Sequence, residues 1–231
     1  MKKNLLVLSF GLAFISITSC NRHAYTAANF EEKTEEHKLV AILPAEMIIT
    51  GKLPKNVSEE QIAKTEEDES ISFQYSLYNS ILRHANTNKY ITTVNFQDIN
   101  ETQKLLEEKS VTVRDSWKMS EKELATLLGV DAVIKMRIRK QRFMSDEASY
   151  GVTVAKQIVF NTKIGSKVPV PYVPAKTNDI YASCNLVSDG MTLWNDNYKS
   201  ASDYNSPANI IIENITDNFG ENFPYKKKRK Y

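Results

Sequence analysis

A helix stop followed at once by an alternating strand is the feature that most constrains what this chain can fold into. Ser120-Glu121-Lys122-Glu123 has the form of a capping box, Leu124, Leu127 and Leu128 supply an apolar stripe, and Gly129 stands where a left-handed cap would end the helix. From residue 130 to 140 the period changes to two: Ala132, Ile134, Met136 and Ile138 alternate with Val133, Lys135, Arg137 and Arg139. A helix that feeds directly into a half-buried strand needs a sheet with helices packed on it.

The rest of the chain fits that frame. Leu39-Val40-Ala41-Ile42-Leu43-Pro44 is an apolar run stopped by proline, the pattern of a strand covered on both faces. Residues 58–85 read as a helix capped by Ser58, with Glu59 and Glu60 at its positive end and an apolar stripe of Ile71, Tyr75, Tyr78 and Leu82. Glu66, Glu67, Asp68 and Glu69 are consecutive, so they spread around this helix and read as a solvated face. A second strand is expected at 90–96 and a short helix at 101–108. Strands at 179–187 and 191–194 flank the hairpin signal Ser188-Asp189-Gly190. Cys184 and Trp194 fall on these strands at buried positions. Ser206-Pro207 opens a last helix, with Ile211, Ile215 and Phe219 on one side and an end near Phe223-Pro224. The expected fold class is α/β (α+β): a single domain over 39–225, with a mixed β-sheet of about five strands flanked by helices. Residues 144–176 read as an insertion in it.

The first twenty residues carry an address. Lys2 and Lys3 form a positive start, residues 5–17 are apolar and uncharged, and Ile17-Thr18-Ser19-Cys20 follows. The apolar stretch is too short to stay as a membrane-spanning helix. The segment resembles the leader and lipobox of bacterial lipoproteins. That resemblance implies removal of residues 1–19 as a signal peptide and attachment of diacylglycerol and a further acyl chain, such as palmitate, at Cys20. Two or three chains would hold the protein stably at a membrane, where one would not. Arg22 stands where an Asp would favour retention at the inner membrane. The implied location is therefore the outer membrane, with the domain facing the periplasm and residues 20–38 serving as a polar tether. An ordinary leader with an incidental cysteine, or a buried N-terminal helix, is the competing reading. If Cys20 is lipidated, Cys184 has no partner for a disulfide, and a small buried hydrophobe is its expected role.

The runs at 39–44, Gly129-Val130-Asp131-Ala132-Val133-Ile134 and Asp189-Gly190-Met191-Thr192-Leu193-Trp194 follow one another in an order that resembles a domain shared by several envelope lipoproteins. That group includes the curli secretion-channel lipoprotein, the activator lipoprotein of penicillin-binding proteins and the amino-terminal domain of the Tol-system protein TolB. The pattern departs at Ala45, where the group has phenylalanine, and at Met136, where glycine is common. The resemblance implies a binding or assembly protein rather than an enzyme, with no catalytic residues to carry over.

The residues themselves point the same way. His23, His37 and His84 are the only histidines and lack metal-ligand spacing, and no nucleophile elbow or phosphate-binding glycine loop occurs. No cofactor and no metal are expected. Thirty Lys and Arg against 28 Asp and Glu give +2, and Lys2 and Lys3 account for the excess. A neutral remainder and an export leader exclude nucleic acid as a partner. Two local clusters are candidate contacts for anionic partners. One is the strand face of Lys135, Arg137 and Arg139, extended by Lys140 and Arg142; the other is the tail Lys226-Lys227-Lys228-Arg229-Lys230, expected to be extended and mobile over residues 226–231. The plain counterparts are a solvated strand face and a solubilising tail. The functional expectation is a lipid-anchored, non-catalytic binding or assembly module with an envelope protein as partner and room for self-association. A subunit of an oligomeric outer-membrane pore is the main rival and a hydrolase the lesser one.

Overall fold

The computed structural model describes residues 24–52, 57–150, 152–154, 175–203 and 205–230. In chain order the elements are β1 (Tyr25–Thr26), α1 (Phe30–Lys33), β2 (Leu39–Ile42), β3 (Glu46–Gly51), α2 (Glu59–Ala85), β4 (Tyr90–Thr92) and β5 (Asn95–Phe96). They continue with α3 (Ile99–Glu108), α4 (Val113–Lys118), α5 (Glu121–Leu128), β6 (Ala132–Arg142), β7 (Lys176–Ser188), β8 (Met191–Asp203), α6 (Ala208–Asn222) and β9 (Lys226–Lys228). The helix–strand unit forms as its residues dictate. The Ser120 side chain accepts from the Glu123 amide, Glu123 accepts from the Ser120 amide at 3.0 Å, and Gly129 ends α5 at φ 66°.

β6 is the axis of a mixed seven-stranded sheet ordered β1-β8-β7-β6-β2-β5, with β3 also beside β6. Its first residues pair in parallel with β2, from Val40 opposite Ala132 to Ile42 opposite Ile134. Its later ones pair with β3, from Glu46 opposite Arg137 to Gly51 opposite Arg142. Pro44 cannot donate to the ladder and interrupts what would otherwise be one strand. Gly51 closes β3 at φ 97°, where a Cβ would meet the Arg142 carbonyl oxygen at 1.9 Å, so only glycine fits. β6, β7 and β8 form an antiparallel meander, turned at Asp189 and Gly190, both with positive φ.

α2 and α6 cover one face of the sheet around Ile42, Met47, Ile134, Met136, Cys184 and Trp194. α3 and α5 cover part of the other, around Ala41, Leu43, Val133 and Val187. Mixed α/β architecture holds, but the strand count does not: seven strands, plus a separate two-stranded ribbon of β4 and β9, stand against about five expected. β3 lacks a clean alternation, and β1 and β9 lie in stretches whose polar composition masked them.

Four further expectations are corrected. The buried side of α2 is Ser70, Phe73, Gln74, Leu77, Ser80, Ile81 and Ala85; Tyr75 is exposed, and Ile71, Tyr78 and Leu82 lie at the margin. Small polar residues are selected there because α6 approaches closely: a Cβ on Gly220 would lie 2.3 Å from Ser80 Oγ. The carboxylates 66–69 are not simply solvated. Glu66 accepts from the Ile49 amide at 2.8 Å, Arg114 binds Glu66 and Glu67 at 2.7 Å each, and Lys140 binds Glu69 at 3.1 Å. The stretch 20–38, expected to be a tether, is docked on the domain from residue 25 onward. Tyr25 pairs opposite Asn195, the Ala27 amide donates to Leu193 at 2.9 Å, and Phe30 packs on Tyr225 with ring centroids 5.3 Å apart. The basic tail at 226–231 likewise contains a strand, β9, paired antiparallel to β4 with Tyr90 opposite Lys228. Residues 1–23, with Cys20 and the leader, and residues 155–174, the larger part of the 144–176 insertion, lie outside the described residues. Among the described residues no helix is long and apolar enough to cross a membrane.

Candidate interaction surface

Strand alternation sends Val133, Lys135, Arg137 and Arg139 of β6 to the face opposite α2 and α6. α5 covers this face at Val133, and Lys135 closes its margin. The Lys135 ammonium donates to the Trp117 and Met119 carbonyls at 3.0 and 3.3 Å and lies 3.7 Å from Glu121, so it ties the α4–α5 junction to the sheet. Beyond it, Arg137 and Arg139 are exposed on the face. Register then lines up two rows across β3, β6, β7 and β8: Glu46, Arg137, Ser183, Asn197, and Ile48, Arg139, Tyr181, Lys199.

The structure therefore divides the predicted basic cluster. Arg137 donates to Glu46 at 2.7 Å while its side chain stays 62% exposed. Arg139 lies over the Tyr181 ring, 5.2 Å from its centroid, and Lys199 approaches the same ring at 4.9 Å. A hydrogen bond with the Tyr181 hydroxyl raises the Lys199 ammonium above its ordinary pKa and keeps it charged. Lys140 points to the opposite face, towards Glu69, and Arg142 pairs with Asp146 at 2.9 Å. Beside the basic group runs an amide ladder: Asn195 donates to Asn185 at 2.5 Å and Asn197 to Asn195 at 2.6 Å. Sequence reasoning missed Lys199 and the asparagines; their alternation along β8 was the signal, but only strand register brings them beside Arg139.

The second predicted cluster is held in place rather than free. In the ribbon, Lys89 and Lys226 each lie 5.4 Å from the Tyr90 ring centroid. The Arg229 amide donates to the Lys89 carbonyl at 2.9 Å, and Arg229 Nε to the Thr87 carbonyl at 3.0 Å. Lys227, Lys228 and Lys230 are exposed. This cluster and the strand-face cluster lie at different parts of the domain and form no common site.

A third grouping went unrecognised because His37 read as tether. Its Nδ1 meets the Tyr225 hydroxyl, and its Nε2 lies 3.3 Å from Ser188 Oγ. Ser188 donates its proton to the Asp131 carbonyl at 2.8 Å, and the Asp131 carboxylate accepts from the Lys38 and Leu39 amides at 2.8 Å each. With its proton committed to the main chain, Ser188 is not poised as a nucleophile. The group fastens four distant segments together: 37–39, Asp131, Ser188 and Tyr225. Burial pushes the His37 imidazole below its ordinary pKa, against the pull of Asp131 and Asp189, and burial also drives the Tyr225 phenol well up. Cys184 is fully buried, and the same desolvation raises its thiol far above reactive values. At the β2–β3 edge an open apolar groove of about 560 Å³ lies between α2 and α3, lined by Pro44, Ile71, Leu106, Val111 and Val113.

No family model and no curated relative matches the chain. Among solved structures it is similar to the PelC dodecamer from Paraburkholderia phytofirmans, with TM-score 0.37 and 7% identity over 80% of this chain and 85% of that one. It is also similar to the LpoB C-terminal domain from Salmonella enterica, with TM-score 0.36 and 9% identity over 75% and 92% of the two chains. A third similarity is to lipoprotein GNA1162 from Neisseria meningitidis, with TM-score 0.36 and 10% identity over 79% and 97%.

Proposed function

We propose that this chain is a lipid-anchored envelope lipoprotein whose domain is a non-catalytic binding or assembly module, held at the periplasmic face of the outer membrane through Cys20. The leader and lipobox residues support the anchor. The observation that carries the binding role is the sheet face beyond Lys135, where exposed Arg137, Arg139 and Lys199 stand in register with Tyr181 and the asparagine ladder. A sheet face meant only for solvent has no need of cations stacked on an aromatic ring beside preorganised amides. Such a face suits an envelope protein that presents carboxylates and backbone amides, because charged and polar partners set there gain orientation as well as affinity.

The test is photocrosslinking in intact cells from a photoreactive residue at Ser183, which lies between Arg137 and Asn197 in the register. The expected result is a discrete adduct with a second envelope protein, lost when Arg139→Glu and Lys199→Glu are introduced. Absence of any adduct, or one indifferent to those two changes, would remove this face from the account.

A further inference from the structure

We infer that the outer edge of β8, at Lys199 and Ala201, takes up an extended acidic segment of the partner protein as an added strand; this rests on the binding role proposed above and names how the partner docks. The main chain comes first. β8 pairs with β7 from Met191, opposite Ser188, to Asp203, opposite Lys176. On its other side β1 reaches only Trp194 and Asn195. Main-chain groups of a strand point alternately to its two sides. The Ser202 carbonyl is turned to β7, where it accepts from the Thr177 hydroxyl at 3.3 Å. The amides and carbonyls of Asn197, Lys199, Ala201 and Asp203 are therefore turned outwards.

Side chains close this outer row at both ends. The Asn197 amide donates to Asp196 Oδ1 at 2.8 Å. The Asp203 amide donates to Ser206 Oγ at 3.2 Å, and the Asp203 carbonyl accepts from the Ser206 amide at 3.3 Å. Elsewhere in the sheet an edge is closed the same way, since the Ile49 amide of β3 donates to Glu66 at 2.8 Å. Between the two closures, among the described residues, Lys199 and Ala201 have no main-chain partner on the outer side. Unpaired amides and carbonyls on a strand edge are a template for another strand.

Charge then selects the occupant. Lys199 is exposed on this edge, and exposed Arg139 stands on the far side of the Tyr181 ring. Asp179, in the next row opposite Ala201, offsets part of that charge. An incoming strand gains a cross-strand charge pair where it sets Asp or Glu opposite Lys199. A second copy of this chain fits badly. Pairing two β8 edges about Lys199 or Ser200 sets the two lysines opposite or diagonal to one another. Registers displaced further run into β1 at Asn195 or need the Asp203 main chain, which Ser206 already holds. An edge lysine placed in this way rejects its own copy and accepts an acidic strand.

The experiment is photocrosslinking in intact cells from a photoreactive residue at Ser183, with changes made at Ala201. Proline is tolerated on an edge strand where its missing N–H faces away from the ladder. Ala201→Pro should therefore keep the fold, checked by its denaturation midpoint, and cut the adduct yield about tenfold through the lost hydrogen bond. Ala201→Asp, which keeps the amide, should cut the yield as well, whereas Ala201→Lys should retain it; that pair separates charge from folding. With the photoreactive residue placed at Asn197 and then at Ala201, the linked partner residues should lie about four apart in one segment carrying Asp or Glu. An adduct from Ser183 that survives both Ala201→Pro and Ala201→Asp overturns the strand addition and leaves the sheet face standing. Linked residues scattered over the partner, or belonging to a second copy of this chain, overturn it too. Absence of any adduct from Ser183 overturns the sheet face itself, and the added strand with it.

Discussion

His37 shows how much a single side chain can do at a junction. It meets Tyr225 from the C-terminal segment and Ser188 from the β7–β8 turn, and so holds residues 24–38 on the domain. Because burial lowers its folded-state pKa below the ordinary 6.5, the unfolded chain takes up the proton first on acidification. The contribution of His37 is therefore fully present above about pH 6.5 and is lost as the pH falls through the folded-state value. The denaturation midpoint should drop on acidification below that point, and His37→Gln should flatten the drop; an unchanged slope in the variant would show that His37 is not the group responsible. At this scale Cys184 and Trp194 were legible, since both sit on clean alternation and both are buried. His37 was not, because its environment is assembled from Tyr225 and Ser188, more than a hundred residues away.

Helices and strands were read well where a local rule decided them. The Ser58 cap, the capping box at Ser120, the left-handed Gly129 and the turn at Gly190 are all present. The rule failed where tertiary contact decided. The stripe on α2 was assigned to its largest apolar residues, whereas the helix buries the side that lets α6 approach. Gly220→Ala tests that reading, since its Cβ would lie 2.3 Å from Ser80 Oγ and 2.9 Å from the Ser80 carbonyl carbon. Overpacking at such a contact should destabilise the domain by about 1–3 kcal/mol, read from urea denaturation. A neutral result would mean the two helices separate without penalty. The basic tail failed for a related reason. Five adjacent cations argue for disorder, but Tyr225 is buried just before them, and Tyr90–Thr92 offers β9 a strand to pair with.

At the scale of the molecule, the mixed sheet with helices on both faces was legible, because alternating helical and strand periods leave few other ways to bury the apolar residues. The candidate surface was legible only in part. Arg137 and Arg139 were found, while Lys199, Tyr181 and the asparagine ladder needed the register of three strands. The account's central claim is that this domain works tethered by lipid at Cys20, with its open sheet face free for a partner. Intact mass analysis of the chain purified from the membrane fraction tests it most directly. The account predicts a polypeptide beginning at residue 20 with a diacylglycerol and a further acyl chain on Cys20, and no acylated product from Cys20→Ser. A chain that retains residues 1–19, or one cleaved there without any acyl mass, would contradict it.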